Sequence, residues 1–458
     1  MIQLRRINIK NFKCFSEHLE IELGRLTFLT GANSTGKSSL IYSVLGALQS
    51  PRFPFFYSAN GRFVNMGNFS EMVFNHDKDR QIEIGFTLSE NGNDIIINTI
   101  WKNDEVNDQP ALCKYEAHGS FFDLTIVPGK EGDGSAYRLS LDHRPLRKIN
   151  LPERSKELLM ANLYRIAEEY KSYHQGEDIS EKLRAGLEEH TVVKDTPLDV
   201  TDKNITCHDD VQALIAYSQV SEFIRERIKK YKKQMNFISS YRLAGQRVYL
   251  EEDLENGKIQ ASGKGFVNQL LHWRESNREN YETLVSAMRQ MGVLYDIEPE
   301  RIGGGQFRLG VSVHKESPMA SLSDVGFGIS QLLPVVVGDI ELGGGSTLFA
   351  AQPEIHLHPD AQANYADYLI SQMAHDKNYV IETHSECLLN RIRLAIVKGA
   401  LKEEDIRVYY LSQKKDETTI YSVEFTKSGQ IIGAPKEFFE TYMIDVMNIA
   451  MEAVGNEA

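Results

Sequence analysis

The sequence has few cysteines, no long apolar run and no surplus of basic residues, and each absence excludes a class of protein. Its four cysteines are scattered through 458 residues, so neither a disulfide scaffold nor a paired-cysteine metal site is expected. No stretch reaches the roughly 18 apolar residues that would span a membrane. The first residues lack the apolar core of a signal peptide. We therefore expect a soluble, cytoplasmic protein with reduced thiols and no membrane association.

Acidic residues outnumber basic ones by 64 to 51, which leaves a formal charge of −13. Such a balance argues against a protein that coats nucleic acid through bulk charge, but a local basic groove stays possible. The composition, 41% apolar and 25% charged, is that of a globular protein with a substantial core. The length allows two or three domains, or one large domain that carries an insertion.

The first motif lies between a short apolar run at residues 26–30, which predicts a buried strand, and a helical pattern at 38–48. Residues 31–38 read GANSTGKS and match G-x-x-x-x-G-K-S/T at every fixed position. In such a loop, backbone N–H groups surround phosphates, the lysine adds positive charge and the serine hydroxyl serves Mg²⁺. We therefore predict that ATP and Mg²⁺ bind at Asn33, Ser34, Thr35, Gly36, Lys37, Ser38 and Ser39.

A second motif follows a hydrophobic strand pattern late in the chain, where residues 348–359 read LFAAQPEIHLHP. This segment resembles the Walker B and D-loop region of OLD-type (overcoming lysogenization defect) ABC ATPases, which are relatives of the RecF and SMC class. The pattern I-x-x-x-N-F-K-x-F at residues 7–15 is also typical of that class. The resemblance implies an α/β fold, an ABC-type P-loop NTPase core with a mixed sheet and helices. It also implies catalytic roles for Lys37, Gln352 and Glu354, with Gln352 near Mg²⁺.

The second motif departs from the family at one position. Family members usually carry an acidic residue where this sequence has Ala351. Three explanations stay open: an engineered Glu→Ala change that traps bound nucleotide, a naturally degenerate ATPase that hydrolyses weakly, or Glu354 in the role of the missing acid. Loss of such a group lowers hydrolysis by orders of magnitude while nucleotide binding survives.

Residues 322–331, LSDVGFGISQ, lie between these motifs and resemble the ABC signature segment. Their form is that of AAA-type ATPases with a short C-terminal domain of unknown function. Glycines and a serine ahead of a helix give a helix N-terminus that can meet a γ-phosphate. In the family that phosphate belongs to a second subunit, so the resemblance implies a head-to-tail homodimer or higher homo-oligomer around ATP. The signature residues predicted to contact nucleotide are Ser323, Gly326, Gly328 and Ser330.

His384 follows the strand pattern YVIE and resembles the switch histidine that reads the γ-phosphate in this family. Elsewhere, a period-two pattern at 81–101 predicts a β-hairpin, and a charged helical pattern covers 153–235. We predict that these form an insertion in one ATPase core. The expected domains are the N-terminal half of the core at 1–78, an inserted β-hairpin and helical lobe at 79–235, and the C-terminal half at 236–458, which ends in a helix at about 436–454.

About 70 residues follow His384, too few for the nuclease domain of full-length OLD proteins. The resemblance thus implies a stand-alone ATPase subunit of a bacterial anti-phage defence system. It would act as a nucleotide-gated switch or sensor that controls a separate effector such as a nuclease, with DNA or a phage protein as its trigger. Two alternatives stay open: a RecF-class DNA-repair ATPase that acts directly on DNA, and an ATP-binding scaffold with little hydrolysis. Arg242 and Arg247 are candidates to reach phosphates in an assembled dimer.

Overall fold

The computed structural model describes residues 1–129, 136–144, 190–200, 205–206, 211–252, 258–414 and 417–438. The chain divides into two compact units, the first built from Met1–Ile21 and Tyr42–Lys233 and the second from Glu22–Ile41 and Gln234–Ala458. Residues 153–189 of the predicted charged helical pattern, and the predicted C-terminal helix from residue 439 onward, lie outside the described residues.

The elements up to residue 234 are mostly strands. In chain order they are β1 Ile2–Lys10, β2 Leu19–Glu22, β3 Leu26–Gly31, α1 Lys37–Gln49, α2 Phe69–Met72, β4 Ile82–Glu90, β5 Asn93–Asp104, β6 Gln109–Gly119, β7 Phe122–Pro128, β8 Tyr137–His143, β9 Thr191–Val200, β10 Ile205–Thr206 and α3 Val211–Gln234. A short 3₁₀ turn, Phe74–His76, follows α2.

The later elements alternate strands and helices. They are β11 Met235–Ile238, β12 Tyr249–Leu250, α4 Phe266–Ser276, α5 Arg278–Gln290, β13 Asp296–Gly303, β14 Gln306–Ser312, β15 Ala320–Ser321, α6 Phe327–Ile340, β16 Thr347–Ala351, α7 Pro359–Met373, β17 Asn378–Glu382, α8 Glu386–Val397, β18 Ile406–Lys414, β19 Glu417–Phe425 and β20 Ile431–Ile432. A 3₁₀ turn, Glu403–Asp405, precedes β18.

The first unit is built around a nine-stranded sheet with the order β10-β9-β8-β7-β6-β5-β4-β1-β2. The predicted hairpin is confirmed, because β4 and β5 pair antiparallel with Glu90 opposite Asn93. Along β5, burial alternates: Ile95 and Ile97 are buried while Ile96 between them is exposed. Strict alternation of this kind marks a sheet with one face toward the core.

The helical prediction for the insertion is right for α3 and wrong for β9. Residues 191–200 form a strand that pairs antiparallel with β8, with Thr191 opposite His143. The segment begins Thr-Val-Val, and β-branched residues favour the pleated surface of a sheet. Lys194 and Asp195 within the segment interrupt the period-two pattern that would have predicted a strand.

The second unit is built around a seven-stranded sheet with the order β11-β16-β17-β3-β18-β19-β20. The neighbours from β11 to β18 are parallel, and β19 and β20 add antiparallel pairs at one edge. β3 has parallel neighbours on both sides and all six of its residues are buried, which explains why it carries no charged residue. The predicted α/β class, a mixed sheet with helices around a P-loop, is confirmed.

The parallel strands of the second unit bring distant segments of sequence to one edge. Gly31, Ala351 and Glu382 are the last residues of β3, β16 and β17. In open parallel sheets, ligands bind at the carboxyl ends of the strands. A separate small sheet, with the order β12-β14-β13 and β15 on β14, completes this unit. Among the helices that the structure describes, none is long and apolar enough to cross a lipid bilayer.

Candidate active site

The loop between β3 and α1 has the close-packed backbone that its sequence pattern predicts. Gly31 has φ +131, and a Cβ at this position would collide with the carbonyl of Leu411 on the neighbouring strand β18. Only glycine fits both requirements. Thr35 is buried and its hydroxyl donates to the Ala32 carbonyl at 2.9 Å, which closes the loop. Asn33 and Ser34, at the outer part of the loop, are exposed to solvent.

Lys37 lies inside this loop. Its Nζ donates to the carbonyls of Gly31 at 3.1 Å and Ala32 at 2.6 Å. Burial lowers the pKa of Lys37, and the carboxylates of Glu382 and Glu354 oppose that shift. The ammonium is therefore held by the loop that is predicted to bind phosphate, and it faces two acidic side chains.

The first of these acids, Glu382, contacts the loop directly. Its Oε2 accepts a hydrogen bond from the Ser38 hydroxyl at 2.7 Å. Glu382 is 4% exposed, and burial raises the pKa of its carboxyl against the opposing effects of Ser38 and Lys37. Desolvation penalises the charged form of a buried acid, so the carboxylate depends on these partners.

The second acid, Glu354, connects the Walker B segment to the switch segment. Its Oε1 accepts from the Thr383 hydroxyl at 2.7 Å and from the His384 backbone N–H at 2.8 Å. Its Oε2 is buried and has no hydrogen-bond partner among the described residues. Burial raises the pKa of Glu354, while the bonds from Thr383 and His384 oppose the shift. An orphaned carboxylate oxygen in a buried site is a free acceptor for a ligand.

His384 itself is exposed at the end of β17. Although the residue is exposed, partial desolvation of its ring lowers its pKa, and the charge of Lys37 lowers it further. The imidazole is therefore favoured in its neutral form, which can donate one hydrogen bond and accept another. The structure brings His384 together with Lys37, Ser38 and Glu354 at the carboxyl edge of the sheet; the roles assigned to them from sequence remain predictions.

Ala351 and Gln352 end the Walker B strand. Ala351 is 2% exposed and pairs in register with Glu382 on the adjacent strand. Gln352 has φ 48, and its backbone N–H donates to the Glu382 carbonyl at 2.7 Å. Position 351 supplies no carboxylate, but the neighbouring strand brings one beside it.

Arg242 does not point toward a second molecule. Its guanidinium donates to four backbone carbonyls: Ser239 at 2.8 Å, Gln331 at 2.6 Å, Ala351 at 2.7 Å and Gln352 at 2.6 Å. It is 4% exposed, and burial lowers its pKa to about 10. The prediction that Arg242 reaches phosphates in a dimer is therefore wrong, because internal acceptors occupy its donors.

Arg247, the other arginine of that prediction, forms a two-fold hydrogen bond with Asp324 at 2.8 and 2.7 Å. Its side chain is largely exposed, so this is a surface pair of small energetic value. The pair joins the segment after β11 to the signature segment.

The signature segment begins helix α6. Gly326 is the N-cap residue, and the Ser330 hydroxyl donates to the Phe327 carbonyl at 2.8 Å. Gly328 lies so close to the Walker B segment that a Cβ would be 2.5 Å from the His356 carbonyl oxygen. Ser323 and Gly326 are exposed, whereas Gly328 and Ser330 are buried. The structure thus divides the four predicted residues into an exposed pair and a packing pair.

Sequence analysis missed Glu382. The signal was a single carboxylate at the end of the otherwise uncharged strand Asn-Tyr-Val-Ile-Glu, directly before Thr383 and His384. A charged residue that is fully buried needs a partner, so its position in a buried strand was itself informative.

A family model described as AAA ATPase domain matches residues 2–389 of the chain. The chain belongs to this AAA ATPase family. It is therefore an ATPase, and the phosphate loop, the two buried acids and His384 all lie within the matched range. The sequence matches none of the curated proteins with which it was compared.

Among solved structures, this AAA ATPase is similar to an SMC head domain from Thermotoga maritima, at 10% identity over 92% of this chain and 99% of that one, with a TM-score of 0.41. It is also similar to an Smc head domain derived from Pyrococcus furiosus, bound there to the C-terminal domain of ScpA. That likeness has 11% identity over 99% of this chain and 100% of that one, with a TM-score of 0.45.

The chemistry of the donors fits a magnesium nucleotide. Mg²⁺ prefers oxygen ligands and is usually bound through one or two carboxylates, substrate phosphates and water. Ser38 and Glu382 place a hydroxyl and a carboxylate 2.7 Å apart beside the phosphate loop. The described residues contain no group of three or more His, Cys, Asp or Glu side chains suited to a metal ion. Any metal here would therefore depend on the phosphates for part of its coordination.

Proposed function

We propose that this AAA ATPase is a nucleotide-gated switch that binds ATP with Mg²⁺ at its phosphate loop and controls a separate effector. The observation that carries the proposal is the position of Lys37, whose buried ammonium faces Glu382 and Glu354. Phosphate oxygens would replace the loop carbonyls as partners of Nζ, and charge-assisted hydrogen bonds are the stronger ones. Glu354 also accepts from the His384 N–H, so the same acid interacts with the lysine of the phosphate loop and with the switch segment.

The oligomer proposed is a head-to-tail homodimer closed by ATP. It is supported by the exposure of Ser323 and Gly326 at the start of α6, where the helix N-terminus can meet an anion from another chain. Control of a nuclease or other effector in anti-phage defence is supported only by the resemblance of the motifs to OLD-type ATPases. DNA or a phage protein is the proposed trigger.

A second function is favoured by Ala351. A protein that lacks the acid usual at this position could bind ATP to assemble and hydrolyse it little. Arg242 holds the Ala351 and Gln352 carbonyls in either case, so the segment keeps its place in the fold without a carboxylate at 351.

The proposed function is tested with Lys37→Ala. We expect affinity for a fluorescent ATP analogue to fall at least about tenfold, since a charge-assisted hydrogen bond contributes about 1.5–3 kcal/mol. The matched control is Lys258→Ala. Its Nζ also donates to a backbone carbonyl, that of Met235 at 2.7 Å. Met235 is the first residue of β11, so this bond lies at the amino ends of the parallel strands, away from the phosphate loop at their carboxyl ends. Unchanged nucleotide binding by the Lys37 variant would contradict the site assignment.

A further inference from the structure

We propose that Glu382 is the carboxylate that holds Mg²⁺ in the nucleotide site, in place of the acid that position 351 lacks. The inference rests on the proposed function, since it assumes that ATP binds at the phosphate loop. The protein carboxylate that binds the metal would come from β17 and not from β16.

The sheet places Glu382 one strand closer to the loop than residue 351. β17 lies between β16 and β3, and Glu382 pairs in register with Ala351 on one side and Leu29 on the other. Neighbouring strands are about 4.8 Å apart, so a carboxylate on β17 starts nearer the phosphate loop by about that distance. The acid therefore lies one strand away from position 351, at the same carboxyl edge of the sheet.

The contact of Glu382 is with the residue that serves Mg²⁺ in loops of this pattern. Its Oε2 lies 2.7 Å from the Ser38 hydroxyl oxygen. Both atoms are hard oxygen donors of the kind that Mg²⁺ prefers. The carboxylate is 4% exposed at the end of a strand whose other four residues are uncharged. A buried carboxylate is costly unless charge compensates it, and a divalent cation between it and the phosphates would do so.

Glu354 is the other acid at this edge, and its contacts give it a different task. Its Oε1 is occupied by the Thr383 hydroxyl and the His384 N–H. Those bonds hold the switch segment in place, while its Oε2 has no partner among the described residues. Because Glu382 is the acid that accepts from the Ser38 hydroxyl, we assign Glu382 to the metal and Glu354 to positioning His384.

The missing acid at position 351 would then affect metal binding and hydrolysis differently. If Glu382 supports Mg²⁺, metal-dependent nucleotide binding survives the alanine at 351. Any role of that acid in polarising the attacking water would be left unfilled. The site would then bind magnesium ATP well and hydrolyse it slowly.

The test measures how much Mg²⁺ strengthens binding of a fluorescent ATP analogue, by titrating each protein in excess MgCl₂ and in excess EDTA. For Glu382→Gln we expect the gain from Mg²⁺ to fall by about tenfold or more, the usual loss when a group that supports a metal is removed. Binding in EDTA should be unchanged or tighter, because a negative charge near the phosphates is gone. Glu354→Gln is the comparison variant at the same edge of the sheet, and there we expect the smaller loss of the gain from Mg²⁺.

Each other outcome overturns the inference. A full Mg²⁺ gain in Glu382→Gln excludes the residue from the metal site, and loss of the gain only in Glu354→Gln transfers the metal to Glu354. Equal weakening of Glu382→Gln with and without metal indicates a structural role. If that variant does not fold, Glu382→Ala carries the test, because it also removes the carboxylate, and an undiminished Mg²⁺ gain there contradicts the proposal. Failure of wild-type protein to bind the analogue in either condition would reject the nucleotide site as a whole.

Discussion

At the scale of single residues, the site in the second unit keeps four charged groups away from water. Lys37, Arg242, Glu354 and Glu382 are each at most 6% exposed. Burying a charge costs free energy unless hydrogen bonds and opposite charges compensate it. Arg242 has four carbonyl acceptors, whereas Glu354 has an oxygen with no partner among the described residues. The uncompensated group is the one that a ligand would complete, which is typical of a functional site.

Restoring the missing acid should reveal whether this site can hydrolyse ATP efficiently. We expect Ala351→Glu to raise the rate of phosphate release by about a hundredfold, the contribution typical of a positioned acid or base. The matched control is Ala351→Gln, which has the same size without the charge and should stay near the wild-type rate. Thermal unfolding of both variants checks that the buried position accepts the larger side chain. If Ala351→Glu hydrolyses no faster than wild type, the scaffold function gains support.

Much of this site could be predicted from sequence because its motifs are local. The phosphate loop, Glu354 and His384 follow from short contiguous patterns next to strands. Glu382 could not be assigned, because its closeness to Ser38 depends on β17 lying beside β3. Arg242 was misplaced for the same reason, since its acceptors come from three segments that meet only in the folded sheet.

At the scale of elements, helix α6 is fixed to the Walker B segment at two points. The Arg242 guanidinium donates both to the Gln331 carbonyl of the helix and to the Ala351 carbonyl of the strand. Gly328 then allows the first turn of the helix to approach the His356 carbonyl. The signature helix is therefore positioned by backbone contacts that tolerate little displacement.

We expect Gly328→Ala to destabilise the second unit by about 1–3 kcal/mol, because the new Cβ would meet backbone atoms that cannot turn aside. The ideal Cβ lies 2.5 Å from the His356 oxygen and 3.0 Å from its carbonyl carbon. Urea unfolding measures the loss. Gly326→Ala is the control in the same motif. A Cβ there meets no atom within 4 Å, so its cost should stay below about 1 kcal/mol. Equal stabilities for the two variants would contradict this account of the helix.

Helix α3 carries a basic run at residues 225–233, RERIKKYKK, and such clusters can mark a nucleic-acid surface. In the first unit, Arg227 and Lys230 both pair with Glu90, and Lys229 pairs with Glu226 at 3.1 Å. Much of this positive charge is therefore compensated within the protein, which weakens the case for direct DNA binding through this helix.

At the scale of the whole molecule, the proposed head-to-tail homodimer builds each nucleotide site from residues of two chains. The phosphate loop of one chain would face Ser323 and Gly326 of another. A variant defective in one motif should therefore complement a variant defective in the other when the two proteins are mixed. Gly326→Asp is suited to this because Asp is a favoured N-cap residue, so the helix is kept, while its charge repels a γ-phosphate. The formal charge of −13 also means that two chains repel each other until specific contacts and Mg²⁺ offset it.

We expect Lys37→Ala and Gly326→Asp each to remain monomeric with magnesium ATP, because each variant lacks one half of both composite sites. An equimolar mixture should form a dimer with one complete site, measured as a doubled mass by light scattering and about one bound nucleotide per two chains. The control mixture replaces the second partner with the double variant Lys37→Ala/Gly326→Asp, which leaves no complete site and should stay monomeric. A mixture that behaves as the sum of its two components would show that the signature segment does not act across chains, and the switch would then have to operate within a single protomer.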